Sequence, residues 1–141
     1  MATYLEEFQS RFIGIMQWDD CKGLLEVLIN NPDNWYIYDT DENQLPSNTT
    51  PGSQFVEQIQ HIKSVLDAEH KERYCGIVYT NDLKNPTFVK IFHPNNLGKT
   101  CGSSENPPIP KWLISKTQPE DVIEEFGPKE DQGFVSKLLK L

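Results

Sequence analysis

The sequence has 141 residues, 37% of them hydrophobic and 24% charged, a balance typical of a chain that buries one hydrophobic core. We therefore expect a single domain over 1–141. The formal net charge is -8 and the basic residues form no cluster. Because an acidic surface repels phosphate groups, this disfavours nucleic acid as a partner.

The N-terminal segment carries the pattern of an amphipathic helix. Thr3 and Glu6 have the spacing of a capping box, which marks a helix start. Apolar residues follow at helical spacing, namely Leu5, Phe8, Phe12 and Ile15. The pattern predicts a first helix over 4–16.

A second helical pattern follows closely. Leucine and isoleucine form a broad stripe over 21–31, Asp19 or Asp20 is placed to cap its start, and Pro32 stops it. We expect the two helices to form a helical hairpin at the N-terminus.

The middle of the chain alternates between strand and helix signals. The aromatic and branched residues of 34–39 predict a short strand, and a polar loop rich in turn-forming residues follows it. A stripe of apolar residues then predicts a long helix near 53–71.

Two strand-like runs predict a central β-hairpin over 74–93. We expect Thr80 to oppose Thr87, which directs Val78 and Val89 towards the helices.

The opposite face of the hairpin keeps Tyr79, Phe88 and Lys90. We expect this face to be covered by another element or to be open to a partner.

The last third of the chain predicts shorter elements. The run 111–115 predicts a further strand, and an acidic helix is expected to begin at Pro119. Apolar residues at the C-terminus, 134–141, gather on one side and are expected to dock on the domain. The order of elements predicts an α+β fold with a mainly antiparallel sheet of about four strands, packed against the N-terminal helices and the long helix.

The segment 93–110 is rich in Gly, Ser, Asn and Pro and holds Cys101. It lacks the glycine spacing of a phosphate loop. Lys99 next to this cysteine could favour the thiolate, with His93 as a base, so a thiol-dependent enzyme or redox sensor is one alternative. A long structural connection is the simpler interpretation.

Metal-binding patterns are incomplete. Asp39 and Asp41 begin a calcium-loop pattern, but its glycine and final glutamate positions hold Gln44 and Thr50. The histidines and cysteines have no paired ligand spacing. We therefore predict no metal and no cofactor.

Three widely separated cysteines favour a reducing compartment. The N-terminus lacks the plan of a signal peptide and no apolar run is long enough to span a membrane. These features predict a cytoplasmic protein that does not contact a membrane.

With no catalytic pattern complete, the sequence favours a noncatalytic, acidic domain that binds another protein as an adaptor, assembly factor or regulator. One option for the partner is a second copy of the chain, which would form a homodimer with the first. The predicted binding residues are Phe88, Lys90, Phe92, Lys99 and Trp112. Besides the thiol alternative, capture of a small ligand between the sheet and the long helix is a second alternative.

Overall fold

The computed structural model describes residues 3–42, 44–69, 74–93 and 109–126. These residues form four helices and five strands. The helices are α1 (Tyr4–Phe8), α2 (Trp18–Asn30), α3 (Gly52–Glu69) and α4 (Val122–Phe126). The strands are β1 (Ile13–Gln17), β2 (Tyr36–Asp39), β3 (Tyr74–Thr80), β4 (Phe88–Ile91) and β5 (Trp112–Ser115).

The five strands form one open sheet in the order β1-β3-β4-β5-β2. Every neighbouring pair is antiparallel. The α+β class and the antiparallel sheet are therefore as predicted, with five strands where about four were expected. The long helix and the strands at 34–39 and 111–115 are present as α3, β2 and β5.

The additional strand is β1, and the prediction of one helix over 4–16 was wrong. Only the first turns are helical, and the chain then pairs with β3 through Ile13 opposite Thr80 and Ile15 opposite Val78. Gly14 between them lies close to the Tyr79 ring, and a Cβ there would lie 3.1 Å from Cε2 of Tyr79, so a larger residue would require the ring to shift by a few tenths of an ångström. Strand pairing outweighs the helical spacing, and no N-terminal helical hairpin forms.

The capping box at the start of α1 is confirmed. The Thr3 hydroxyl accepts a bond from the Glu6 amide at 3.2 Å, and the Glu6 carboxylate accepts one from the Thr3 amide at 3.3 Å. The start of α2 differs from the prediction, since Gln17 holds the cap position without a side-chain bond. Asp19 and Asp20 lie in the first turn, where negative charge interacts favourably with the helix dipole.

The central hairpin forms with a register two residues away from the predicted one. Thr80 pairs with Val89 instead of Thr87. The Asn81 amide bonds the Phe88 carbonyl at 3.1 Å, and the Asn81 side chain also binds the turn at Thr87. A shift of two keeps Val78 and Val89 on their predicted face, because side chains alternate with a period of two. Ile77, which follows the opposite phase along β3, nevertheless belongs to the same core cluster as Val78 and Val89.

Apolar residues pack on both faces of the sheet. We call the face that carries Ile15, Val78, Val89, Ile91, Trp112 and Ile114 the helix face, and it packs against α2 and α3. We call the opposite face, which carries Tyr38, Phe88 and Leu113, the α1 face. Tyr4 of α1 and Val122 of α4 complete the cluster there.

The end of the chain is described only as far as α4, which begins at Val122 and therefore three residues after the predicted start at Pro119. The predicted amphipathic segment 134–141 lies outside the described residues.

We expect Phe88→Ala to lower the free energy of unfolding by about 3–5 kcal/mol, because the ring is fully packed in the α1 face. Phe88→Leu preserves most of the volume and should cost about 1 kcal/mol. Urea unfolding followed by tryptophan fluorescence measures both. Leu83→Ala is the control, since its side chain is 51% exposed, and it should change stability by less than about 0.5 kcal/mol. Equal effects at Phe88 and Leu83 would contradict the packing.

Candidate functional site

Two of the predicted binding residues, Phe88 and Lys90, lie together on the α1 face and are covered by the N-terminal segment. Phe88 is only 1% exposed. Its ring centroid lies 4.9 Å from that of Tyr4 and 5.5 Å from that of Phe12. This part of the sheet is therefore closed by the chain itself, and Phe88 has no surface to offer a partner in this arrangement.

Lys90 holds the N-terminal segment on the sheet. Its Nζ donates a hydrogen bond to the Phe8 carbonyl at 2.6 Å. The same atom lies 4.1 Å from the ring centroid of Phe8 and 4.0 Å from that of Phe12. Burial lowers the pKa of Lys90 from its ordinary value of 10.5 to about 8. The ring faces and the carbonyl favour the cation, while the loss of water opposes it.

The other predicted site residues lie apart from this pair. The half-buried Phe92 ring packs edge-on to Tyr79, with ring centroids 5.8 Å apart. Trp112 belongs to the helix face and is 6% exposed. Lys99 and Cys101 lie outside the described residues, so the thiol alternative and the interpretation of 94–108 stay predictions.

Lys111 binds the two aspartates that begin the calcium-like pattern, and the sequence did not predict this interaction. Lys111 Nζ lies 2.8 and 2.7 Å from the two carboxylate oxygens of Asp39, and 2.9 Å from Asp41 Oδ2. The ammonium group thus stands where a cation would have to bind these two carboxylates. The interaction also fixes the end of β2 against the start of β5.

A cavity of about 520 Å³ opens between α3 and the sheet, and we call it the α3 cavity. The helix contributes one face and the sheet contributes the ends of β2, β4 and β5. The lining residues are Ile37, Asp39, Glu42, Gln58, His61, Ile62, Val65, His93, Lys111 and Trp112. Two residues from the predictions, His93 and Trp112, therefore meet here together with Asp39.

A second concavity of about 500 Å³ lies at the other end of the sheet, and we call it the β1 groove. It runs between the edge strand β1, the first half of α2 and the turn after β3. The lining residues are Ile13, Gly14, Ile15, Asp19, Asp20, Gly23, Leu24, Val27 and Leu83. None of them was predicted as a site residue.

The β1 groove exposes apolar side chains that the core does not use. Ile13 is 45% exposed and Leu83 is 51% exposed. Gly23 leaves the adjacent wall of α2 open, because a Cβ there would meet nothing within 4 Å. Both charged residues in the lining, Asp19 and Asp20, are acidic and exposed. The groove is thus apolar with a negative rim.

The described residues contain no group of three or more His, Cys, Asp or Glu side chains placed to hold a metal ion. Within the same residues, no helix combines the length and the apolar character that crossing a membrane requires.

The groove was missed because its strand was predicted as a helix. Ile13 and Ile15 flank Gly14 with the alternation typical of a strand, but the run of aromatic residues before them has helical spacing. The pairing of Lys111 with Asp39 joins residues 72 positions apart, and nothing in the local sequence indicates it.

Comparison of the chain with protein-family models, with curated proteins and with solved structures found no match.

We expect the free energy of unfolding to rise by about 1.5 kcal/mol between pH 8 and about pH 9.5 because of Lys90. Its folded pKa of about 8 lies below the ordinary 10.5. Between these values the unfolded chain binds more protons, so stability increases with pH. Below the folded pKa the cost of burying the cation is fully present.

Urea unfolding of the wild-type chain and of Lys90→Met across this pH range measures the effect. Met keeps an unbranched apolar stem but does not titrate, so the variant should lose the rise that Lys90 causes. Parallel pH profiles for the two proteins would show that Lys90 does not contribute. The pH range stops below the ordinary pKa of tyrosine. Burial raises the pKa of Tyr4, so ionisation of tyrosine at higher pH would favour the unfolded chain and lower the free energy of unfolding.

Proposed function

We propose that the chain is a noncatalytic protein-binding domain that takes an extended, basic and apolar segment of a partner protein into the β1 groove. The observation that carries the proposal is the combination of an open strand edge with exposed apolar residues beside it. An adaptor, assembly factor or regulator would use such a surface. The cytoplasmic location expected from the three widely separated cysteines remains part of the proposal.

The backbone of β1 supports recognition of an extended segment. β1 is the first strand of the sheet, and among the described residues no strand pairs with its outer side. The outer edge of a strand carries amide and carbonyl groups that a further strand can bond. Addition of a partner strand is a recurrent mode of peptide recognition, in which backbone bonds provide affinity and side-chain pockets provide specificity.

The side chains of the groove support the chemistry of that segment. Ile13 of the edge strand and Leu83 of the turn after β3 are both exposed and offer apolar contact in the groove. Asp19 and Asp20 supply two negative charges at the start of α2, and among the described residues that line the groove there is no basic one. An added strand directs alternate side chains to the same side. A segment that alternates apolar and basic residues therefore matches both features.

Charge also distinguishes this partner from a second copy of the chain. Two copies that paired through β1 would bring two pairs of aspartates together in chains of net charge -8 each. Such like-charge contacts oppose association. We therefore commit to a basic partner, and a homodimer is an outcome that the test must detect.

The proposal moves the binding surface away from the predicted residues. Phe88 and Lys90 act in the fold by holding the N-terminal segment, as their contacts indicate. Phe92 and Trp112 are half-buried and buried. The apolar surface that the sequence suggested for this face is thus replaced by Ile13 and Leu83 at the sheet edge.

The test uses the full chain and two fluorescent synthetic peptides, one alternating valine with lysine and one alternating valine with glutamate. We expect the lysine peptide to bind with a saturable change in anisotropy and the glutamate peptide not to bind. The double variant Asp19→Asn and Asp20→Asn should weaken binding by about tenfold at low salt. Added salt should reduce binding to the wild type and reduce the difference between the two proteins.

A matched pair of apolar variants locates the site. Leu83→Ser should weaken binding of the lysine peptide, whereas Ile123→Ser should not, since Ile123 is similarly exposed at 40% but lies on α4. Equal effects of the two variants, or equal binding of both peptides, would overturn the proposal. Sedimentation that shows a dimer of the free chain, abolished by Leu83→Ser, would assign the groove to a second copy instead.

A further inference from the structure

We propose that the α3 cavity is a separate ligand site, which binds a small organic cation with an apolar or aromatic body. This inference does not depend on the β1 groove, because none of the described residues lines both concavities. It rests on the volume of the cavity, on its apolar floor and on the balance of charge at its rim.

The volume and the floor suit a small molecule. A cavity of about 520 Å³ lies within the range of about 300–1,000 Å³ common for ligand pockets. Its floor is apolar, with Ile62 and Trp112 from the core and the half-buried Ile37 and Val65 packed against them. Residues one turn apart on α3 face the cavity, so the helix forms a continuous wall. The floor can take up the apolar part of a ligand.

The charged residues at the rim determine which sign of charge a ligand should carry. Among the described lining residues, Asp39 and Glu42 carry two negative charges and Lys111 carries one positive charge, which leaves one net negative charge from these three groups. Asp41 is bonded to the same lysine and makes the neighbourhood more negative. A cation is therefore attracted and an anion is repelled.

Lys111 does not provide a binding site for an anion, so it does not weaken this preference for a cation. Its ammonium group already contacts both oxygens of Asp39 and one oxygen of Asp41 within 2.9 Å. These carboxylates keep the pKa of Lys111 raised against the effect of burial, which acts in the opposite direction. An anionic ligand would have to displace a carboxylate from the lysine, at the cost of a charge-assisted hydrogen bond.

A metal ion fits the cavity less well than an organic cation. Two histidines and two carboxylates line it, but within the described ranges no three such groups are close enough to share an ion. Lys111 adds positive charge beside Asp39. Gln58 and Glu42, which also line the cavity, carry side-chain oxygens that can accept hydrogen bonds from the N–H groups of an organic ammonium ion.

The test titrates the full chain with 2-phenylethylamine and with 3-phenylpropanoate, which have similar size and opposite charge. Two-dimensional proton–nitrogen NMR follows the indole signal of Trp112 and the amides of α3. We expect a saturable shift with the amine, and binding of the carboxylate to be weaker by about fivefold or more.

Two glutamates provide the matched variants. Glu42→Gln removes a charge from the rim and should weaken amine binding by about three- to fivefold. Glu57→Gln removes a charge from an exposed position of α3 that does not line the cavity, and should leave binding unchanged. Equal binding of the two probes, the absence of saturation, or equal effects of the two variants would overturn the inference. Leu83→Ser should leave amine binding unchanged, so failure at one site is distinguishable from failure at the other.

Discussion

The pairing of β1 with β3 is the constraint on which the arrangement of the whole N-terminal region depends. The segment before β1 folds onto the α1 face, and the segment after it folds onto the helix face. The chain therefore crosses the plane of the sheet at Ile13–Gln17. A helix in this position, as the aromatic spacing suggested, would have placed both N-terminal helices on the same side. Gly14 makes the crossing compatible with the Tyr79 ring on the neighbouring strand.

Closure of the α1 face follows from this crossing, and it requires that a lysine be buried. Lys90 lies in the middle of the face, between Tyr79 on one side and Leu113 on the other. Its stem fills the space beneath α1, and its ammonium group is satisfied by the Phe8 carbonyl and by two aromatic rings. The same contacts that fix the N-terminal segment thus compensate part of the cost of removing the charge from water. These contacts explain why Lys90, which was expected at a binding surface, stabilises the fold instead.

The sequence predicted what depends on local pattern and missed what depends on distant contacts. The long amphipathic helix was recognisable from its stripe of apolar residues, and the strand around Tyr38 from its aromatic and branched residues; the strand around Trp112 was predicted as well. The hairpin faces were also predicted, although the turn chemistry of Asn81 shifts its register by two. The two concavities were not predictable, since each combines residues from at least three separate segments. Only the hypothesis of a ligand between sheet and long helix approached one of them.

Both concavities lie on the helix side of the sheet, at its opposite edges, and this follows from how two helices cover five strands. α2 packs over β1 and β3 and contacts α3, which leaves the flank of α2 open at the β1 edge. α3 in turn leaves its outer face open towards the ends of β2 and β5. On the α1 face, the aromatic residues of the N-terminal segment lie directly on the strands, and the part of the sheet that they cover has no open flank of this kind. Each concavity therefore combines apolar residues at an edge of the helix layer with acidic side chains, Asp19 and Asp20 in the β1 groove and Asp39 and Glu42 in the α3 cavity, and this shared feature supports both proposals.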